Sequence, residues 1–471
     1  MPDVKIILGG PEVSYTPEKE NLFGADIVVT GEGEASFYSL VSDIVESKGL
    51  KNIYKAKNVT LDEIPFCYSD CINEYENKII YYESSRGCPF NCQYCLSSTE
   101  SGVRFLSKQR VRDDLDFFIK NKVKQVKFVD RTFNCNENHA LSIWNHIIES
   151  DNGITNFHFE ISADLLTNEM FKILKKARPG LIQFEIGVQS TNIDTLSEIK
   201  RKTNLDSLFY NVNRIKSLKN IHIHLDLIVG LPHEGFNSFA DSFNKVFALK
   251  PDMLQIGFLK LLRGSGLRNH AEKFGITYKD YAPYEVLYTN DLSFNELIEL
   301  KSIENIVDIF YNSNNFSNTL EYGIKKFNTP FNFFHEFSNY WEDNSYDAVN
   351  HSKIKLYEIL FNFTSTIDKN MELLRDLIKF DMFLSENIKN PPNFITRTDY
   401  SKIKTKINDF YKNTDNMSIY FTGLENYDSK KISKICHIEK FDFDILSEEI
   451  KKIEIYVLFN YYSKKHYKII L

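Results

Sequence analysis

The sequence predicts an α/β protein: a parallel sheet or barrel in the middle, part of another α/β layer before it, and a mainly helical region after it. Three observations carry this. From residue 78 onward, short apolar runs alternate with stretches of helical periodicity. The ends of those runs recur about every 30 to 45 residues, the length of a strand–helix unit whose strands run parallel. Beyond residue 286, apolar residues recur mostly at helical spacing. The expected organisation is a segment and linker over 1–75, the repeating α/β body over 76–285, and a mainly helical domain with terminal strands over 286–471.

Composition narrows the function classes. A chain of 471 residues holds several domains, and 42% hydrophobic with 26% charged residues is ordinary for a globular protein. A net charge of −7 argues against a general nucleic-acid or anionic-membrane binder. No run approaches eighteen apolar residues, and the N-terminus lacks the layout of a signal peptide, so no membrane association is expected. Seven cysteines, an odd number with three clustered, fit a reducing cytoplasm rather than a disulfide framework.

The elements follow in order. Residues 4–8 read as a buried strand ending in Gly9-Gly10-Pro11, and residues 25–30 as a second strand ending in Gly31-Glu-Gly-Glu34. An amphipathic helix is expected over 37–45. Cys67 and Cys71 read as structural, with an auxiliary metal site as the alternative. Six barrel strands are expected at 79–82, 125–130, 157–161, 181–188, 221–229 and 253–259. Helices lie between them, one over 110–120 and one through Leu141, Trp144 and Ile148. A strong amphipathic helix carries Leu297, Leu300, Ile303, Ile306, Val307 and Phe310, and further helices are expected over 353–363 and 371–386. Residues 453–459 and 467–471 read as two strands around the polar turn 463–465. Cys135 and Cys436 read as structural, and His437 alone is too little for a metal site.

The chemistry concentrates after the first barrel strand. Cys88, Cys92 and Cys95 are spaced C-x3-C-x2-C on one short loop with Gly87, Pro89 and Asn91. Three thiolates there can wrap one face of a cubane iron–sulfur cluster and leave one iron open. Zinc is an alternative, although its usual second cysteine pair or histidine pair is not nearby; inert core cysteines are another. Polar residues collect at the strand ends, namely Asp130, Glu160, Ser162, Glu185, Gln189 and Asp226. In parallel barrels that end carries the chemistry, though a polar residue after an apolar strand is often only a turn former.

The wording S-R-G-C-P-F-N-C-Q-Y-C, with an aromatic before the last cysteine, resembles the signature of the radical S-adenosylmethionine (SAM) superfamily. The resemblance implies a six-stranded partial (β/α)6 TIM-like barrel. It also implies a [4Fe-4S] cluster on Cys88, Cys92 and Cys95, and SAM as the second cofactor. "FEISAD" resembles the strand-three motif of relatives of the oxygen-independent coproporphyrinogen dehydrogenases and points to Glu160. "GVQ" with Arg201 twelve residues on, and "DLIVGLP", resemble the strand-four and strand-five motifs and point to Gln189, Arg201 and Asp226. The same resemblance places Phe90, Tyr94, Ser162, Ile228 and Leu261 around SAM. The chain departs from the usual Gly-Gly-Glu turn after strand two with Val129-Asp-Arg-Thr132, where Asp130 is the expected substitute. A reductant such as flavodoxin or ferredoxin and an unidentified substrate are the implied partners.

"LGGPEVS…ADIVVTGEGE" resembles the last third of a Rossmann-like cobalamin-binding domain, without its first strands or its D-x-H-x-x-G motif. A reading frame that starts late and a subfamily that has lost the cofactor both fit, and bound cobalamin is not claimed. The last region resembles an uncharacterised (DUF4080-like) domain that follows the barrel in one bacterial branch. The expected function is reductive cleavage of SAM to a 5′-deoxyadenosyl radical acting on an unknown substrate. The alternatives are a cobalamin-dependent radical SAM methyltransferase and a non-catalytic iron–sulfur or zinc binding module.

Overall fold

A computed structural model of the chain describes residues 4–17, 24–99 and 102–471. The chain forms two compact units, Met1–Leu300 and Lys301–Leu471.

The first unit opens with a three-stranded parallel sheet, β1 (Ile7–Gly9), β2 (Ile27–Val29) and β3 (Ile53–Tyr54), in that order. The strands are shorter than the apolar runs. The Asp26 carboxylate accepts the Ile6 amide at 2.8 Å, so that amide bonds a side chain, while the Ile6 carbonyl still accepts the Ile27 amide at 3.2 Å. The helix Gly33–Val45 lays Leu40 onto Ile27, Val29 and Tyr54.

The body of the unit is a six-stranded sheet. Its strands are β4 (Ile79–Tyr82), β7 (Gln125–Phe128), β8 (Asn156–Ile161), β9 (Ile182–Gln189), β10 (Ile221–Val229) and β11 (Met253–Phe258). They pair in chain order and all run parallel. Between β4 and β7 a short antiparallel pair, β5 (Ser85–Gly87) and β6 (Val103–Phe105), frames the cysteine loop. All six predicted barrel strands are present. The second ends at Phe128, two residues before the predicted end. There Val129 donates its amide to the Tyr82 carbonyl, and Asp130 turns to the start of the cysteine loop.

Helices return the chain between strands, and short polar side chains start them. Ser107 accepts the Arg110 amide at the head of Lys108–Lys120, Asn136 that of His139 at Glu137–Glu149, and Asn204 that of Ser207 at Leu205–Leu218. Alternate strand residues point to opposite faces. One face is apolar and fully buried: Phe157, Phe159, Phe184, Ile186, Ile223, Leu225 and Leu227 have no exposed surface. Trp144, from the helix Glu137–Glu149, packs on Phe159 and Phe184. The other face lines the barrel interior and is polar. Register sets it in rows: Lys127, His158, Gln183 and His222; then Glu160, Glu185 and His224; then Gly187, Asp226 and Gln255.

In the second unit the predicted helices appear as Lys353–Ile367 and Met371–Ser385. The helix Phe294–Ile306 passes into a π-helical turn, Val307–Asn312. Asp381 is fully buried and accepts the Asn318 and Thr319 amides at 3.0 and 2.8 Å, satisfying the start of Ser317–Ile324. After the short pair β12 (Thr277–Tyr278) and β13 (Val286–Tyr288) of the first unit, the chain ends in an antiparallel sheet. Its strands are β14 (Cys436–Phe441), β15 (Ile455–Asn460) and β16 (Lys465–Ile469). The two terminal strands match expectation; β14 was not predicted. Its alternation is broken by Glu439, which is buried as the partner of Lys379 at 3.2 Å. Among the described residues no helix is long and apolar enough to cross a membrane.

Candidate active site

The cysteine loop is held from below before it does any chemistry. Asp130 is fully buried at the end of β7. Its carboxylate accepts the Ser84 amide at 2.9 Å, the Ser84 hydroxyl at 2.7 Å and the Ser85 hydroxyl at 2.5 Å. Burial raises its pKa to about 6 against these bonds. Ser84 also meets His139 Nε2 at 2.9 Å. Gly87 then takes φ +103°, and a Cβ there would run into the Gly102 carbonyl, so the turn into Cys88 requires glycine. Farther along, Gln93 donates its amide to the Ile199 carbonyl at 2.9 Å and accepts that of Leu267 at 2.8 Å. The loop is thus tied to the chain after β9 and after β11.

The three thiols face one cavity. Cys88 Sγ lies 3.5 Å from the Thr132 hydroxyl, and Cys95 Sγ accepts the Ser97 amide at 3.4 Å. Cys92 is buried; burial pushes its thiol pKa up and the Arg201 guanidinium opposes this. The three sulfurs are not gathered within 4.8 Å of one another. One zinc ion would need thiolates about 3.8 Å apart, given its bond length near 2.3 Å. A cubane presents three separate irons and accepts wider spacing.

The cavity, about 180 Å³, lies at the C-terminal ends of the strands. Besides the cysteines it is lined by Phe90, Tyr94, Glu160, Ser162, Gln189, Arg201 and Asp226, all of them sequence candidates. A bulge at the end of β9 aims one of them. Asp226 pairs with Gly187 and Leu227 with Gln189, so Val188 is skipped, and Gln189 takes φ +71°. A Cβ on Gly187 would strike the Gln189 amide and crowd Arg201. Arg201 donates to the Gly187 carbonyl and, at 3.4 Å, to Tyr94.

Three buried polar atoms in this lining find no hydrogen-bond partner among the described residues: Gln189 Oε1, Arg201 Nε and Asp226 Oδ1. Buried polar atoms are ordinarily paired, so orphans converging on one cavity mark a ligand's place. The carboxylates show the same strain. Burial, then Glu185 and Glu160, push Asp226 well above the usual carboxylate range. Burial, then Glu185, raise Glu160 to about 7. Glu185 is held down near 2 by the His158 imidazole 3.0 Å away and, against burial, by the Lys127 ammonium at 2.9 Å.

Three candidates lie elsewhere. Asp130, Ile228 and Leu261 do not line the cavity. Asp130 is turned to Ser84 and Ser85 because β7 ends before it, so the structure gives it the task of bracing the loop. Leu261 is fully buried, with its amide on the Tyr284 carbonyl. Arg131, Thr132 and Ser97 line the cavity and were not singled out from the sequence. Also missed was Arg86, which joins Glu83 at 2.7 Å, Glu34 at 2.9 Å and Glu32 at 3.3 Å. With Arg104, which also meets Glu32, it fastens the "GEGE" turn to the cysteine loop. Neighbours that come together only in the fold leave no local pattern. Cys67 and Cys71 stand apart from the cavity lining, with the Cys71 thiol on the Cys67 carbonyl at 3.2 Å.

The profile of the radical SAM superfamily matches residues 82–246. The barrel is a radical SAM domain. The profile described as a protein of unknown function, DUF4080, matches residues 272–459 of the same chain. An uncharacterized methyltransferase of Pyrococcus horikoshii is 27% identical over 259 residues, 49% of this chain and 55% of that protein. The cobalamin-dependent radical SAM methyltransferase TokK of Streptomyces tokunonensis is 26% identical over 282 residues, 52% of this chain and 41% of that protein. The chain therefore spans about half the length of these curated relatives. Among solved structures, the cobalamin-dependent SAM radical enzyme OxsB superposes with a TM-score of 0.50 at 13% identity, over 86% of this chain and 70% of that one. This agrees with the fold described for the radical SAM domain.

The residues present fit the domain's cofactors. Three thiols on one loop fit a cluster with an open iron, and the orphaned amide, guanidinium and carboxylate atoms fit a zwitterionic, hydroxyl-bearing ligand such as SAM. The described part of residues 1–75 supplies three parallel strands and one long helix.

Proposed function

We propose that this chain is a radical SAM enzyme. The observation that carries this is the convergence of Cys88, Cys92 and Cys95 with the orphaned atoms of Gln189, Arg201 and Asp226 on one cavity. When bound, the [4Fe-4S] cluster and SAM supply a one-electron cleavage of the sulfonium that yields methionine and a 5′-deoxyadenosyl radical.

The protein's part is placement and exclusion. Cys88, Cys92 and Cys95 would hold the cluster by three of its irons, leaving the fourth for SAM. Asp130, through Ser84 and Ser85, fixes the loop that carries them. Arg201, charged and buried beside Cys92 and Tyr94, is placed for a carboxylate. Asp226 and Glu160 accept hydroxyl or ammonium donors, and Gln189, aimed by the bulge, offers both a donor and an acceptor. The closed apolar layer behind the strands keeps water and stray hydrogen donors out from that side. A low-potential one-electron protein donor is the implied partner, and the substrate remains to be assigned.

A second reading, cobalamin-dependent methyl transfer, is favoured by the relatives and by the ion pairs that fasten the N-terminal half-sheet to the cysteine loop. Cobalamin uptake by the full-length protein, followed by its visible spectrum, separates the two; no uptake there removes the second reading. The first is tested by anaerobic reconstitution with iron and sulfide followed by reduction with dithionite as the electron source. The expected result is 5′-deoxyadenosine and methionine from SAM, abolished in Cys92→Ala. Zinc without sulfide, or a Cys92→Ala variant as active as the parent, would overturn it.

A further inference from the structure

The barrel interior holds a second cluster of metal-ligating side chains, below the cavity just described. His158 of β8, Glu185 of β9 and His224 of β10 each offer one ligand atom, and the three atoms lie within 4.8 Å of one another. Among the described residues they are the one such group. We propose that these three residues bind a divalent first-row transition ion of the zinc type, as a His2Glu site on the floor of the barrel.

In register, His158 faces Gln183, and Glu185 is flanked by Glu160 on β8 and His224 on β10. The three ligands therefore sit on neighbouring strands within two successive rows, all on the inward face, and the sheet itself fixes their spacing. Rigid strands make more accurate ligand platforms than loops. His158 supplies the second, independent observation. It is 5% exposed, and its Nε2 finds no hydrogen-bond partner among the described residues. That atom stands 3.0 Å from Glu185 Oε2 as an ion-pair contact. Two donor atoms 3.0 Å apart are close to the edge of a coordination tetrahedron with bonds of about 2.0–2.1 Å.

The donor set selects the ion. Two imidazoles and a carboxylate suit zinc and its first-row neighbours and are poor for magnesium or calcium, which take oxygen. Three protein ligands leave a fourth position, as in catalytic rather than structural zinc sites. Glu185 also lines the upper cavity, whereas His158 and His224 do not, so the proposed site adjoins that cavity through its carboxylate ligand. A bound ion there would anchor a donor atom of whatever occupies it. Two neighbours must be accounted for. Gln183 Nε2 lies 2.9 Å from His224 Nε2 and has to turn aside or leave the other ring nitrogen to the metal. Lys127 Nζ lies 2.9 Å from Glu185 Oε2 and competes with a cation for that carboxylate. The competition gives the proposal a signature that a purely structural salt-bridge network lacks.

The inference does not depend on the radical reading, and its test keeps the two apart. The full chain with its cluster reconstituted is titrated with Zn2+ alone, and bound zinc is counted by elemental analysis and examined at the zinc absorption edge. The expected result is one zinc per chain beyond the cluster metal, with nitrogen and oxygen neighbours. Binding is expected to be lost in His158→Gln and in His224→Gln while iron and sulfide content stay at the parental level. Lys127→Gln is expected to shift the titration to lower free zinc. Sulfur-ligated zinc, undiminished zinc in both histidine variants, or weaker binding in Lys127→Gln would each overturn the assignment. Unchanged iron content and thermal unfolding in the histidine variants show that loss of zinc is not loss of fold.

Discussion

The two faces of the barrel strands differ more sharply than any two domains of this chain. On the outer face Phe159, Phe184 and Leu225 are completely buried. On the inner face, one residue along, stand Glu160, Glu185 and Asp226, and the pKa values of Glu160 and Asp226 are displaced upward. The outer face therefore carries the folding energy, at about 25 cal/mol per Å² of apolar surface removed from water. The inner face is costly polar surface held in place for ligands. A barrel filled by branched apolar side chains would be a plain core; this one is kept polar down through several rows.

Substitutions on each face should fail in different ways. The largest effect on folding belongs to the outer face. Phe159→Ala removes a ring that packs on Phe128, Phe133 and Trp144 and should cost about 3–5 kcal/mol, read as a lower urea midpoint for the barrel. Asp226→Asn, on the inner face, should leave that midpoint within about 1 kcal/mol of the parent, because it removes a buried carboxylate with an unpaired oxygen. Its cost falls on SAM binding, which should weaken roughly 10- to 100-fold by equilibrium dialysis, the equivalent of one lost charge-assisted hydrogen bond.

Glu234 sharpens the contrast, because it is an ionisable group placed among the outer packing. It is buried with Ser190 and Ser242 donating to one carboxylate oxygen while the other has no hydrogen-bond partner among the described residues. Burial raises its pKa to about 7. A carboxyl raised in the folded state contributes stability that is complete below its unfolded pKa near 4.5 and is lost as pH climbs through 7. Glu234→Gln should therefore unfold like the parent near pH 4.5 and be more stable than it near pH 8, by roughly 1–3 kcal/mol. An equal effect at both pH values would mean that the carboxyl ionises freely in the fold. The smallest expected effect is at a helix start. Ser107→Ala removes the acceptor for the Arg110 amide and should cost about 1 kcal/mol with no change in SAM binding.

Much of this contrast was legible in the sequence. All six strands could be placed because each is an apolar run at the right interval, and "IHIHLDLIV" displays the two faces of β10 directly. The cysteine spacing pointed to a loop that borders the candidate cavity, and the polar strand ends named many of the residues that line that cavity. What stayed hidden depends on partners far away in the chain. Asp130 looked like a cofactor contact, but Ser84 and Ser85, 46 and 45 positions earlier, claim its carboxylate. Glu32 and Glu34 looked like a plain turn until Arg86 and Arg104 met them. β14 escaped because its pattern is broken by Glu439, whose burial is explained by Lys379 and Tyr400 from elsewhere in the chain and by His437 beside it.

On the inner face the three thiols and the orphaned atoms of Gln189, Arg201 and Asp226 border one cavity, which suits a cluster and SAM bound side by side. Electron paramagnetic resonance of the reduced, reconstituted chain reads their contact. The expected result is a cluster signal that changes when SAM is added, and a change that is lost in Asp226→Asn at the same SAM concentration. A cluster signal indifferent to SAM in the parent chain would contradict it.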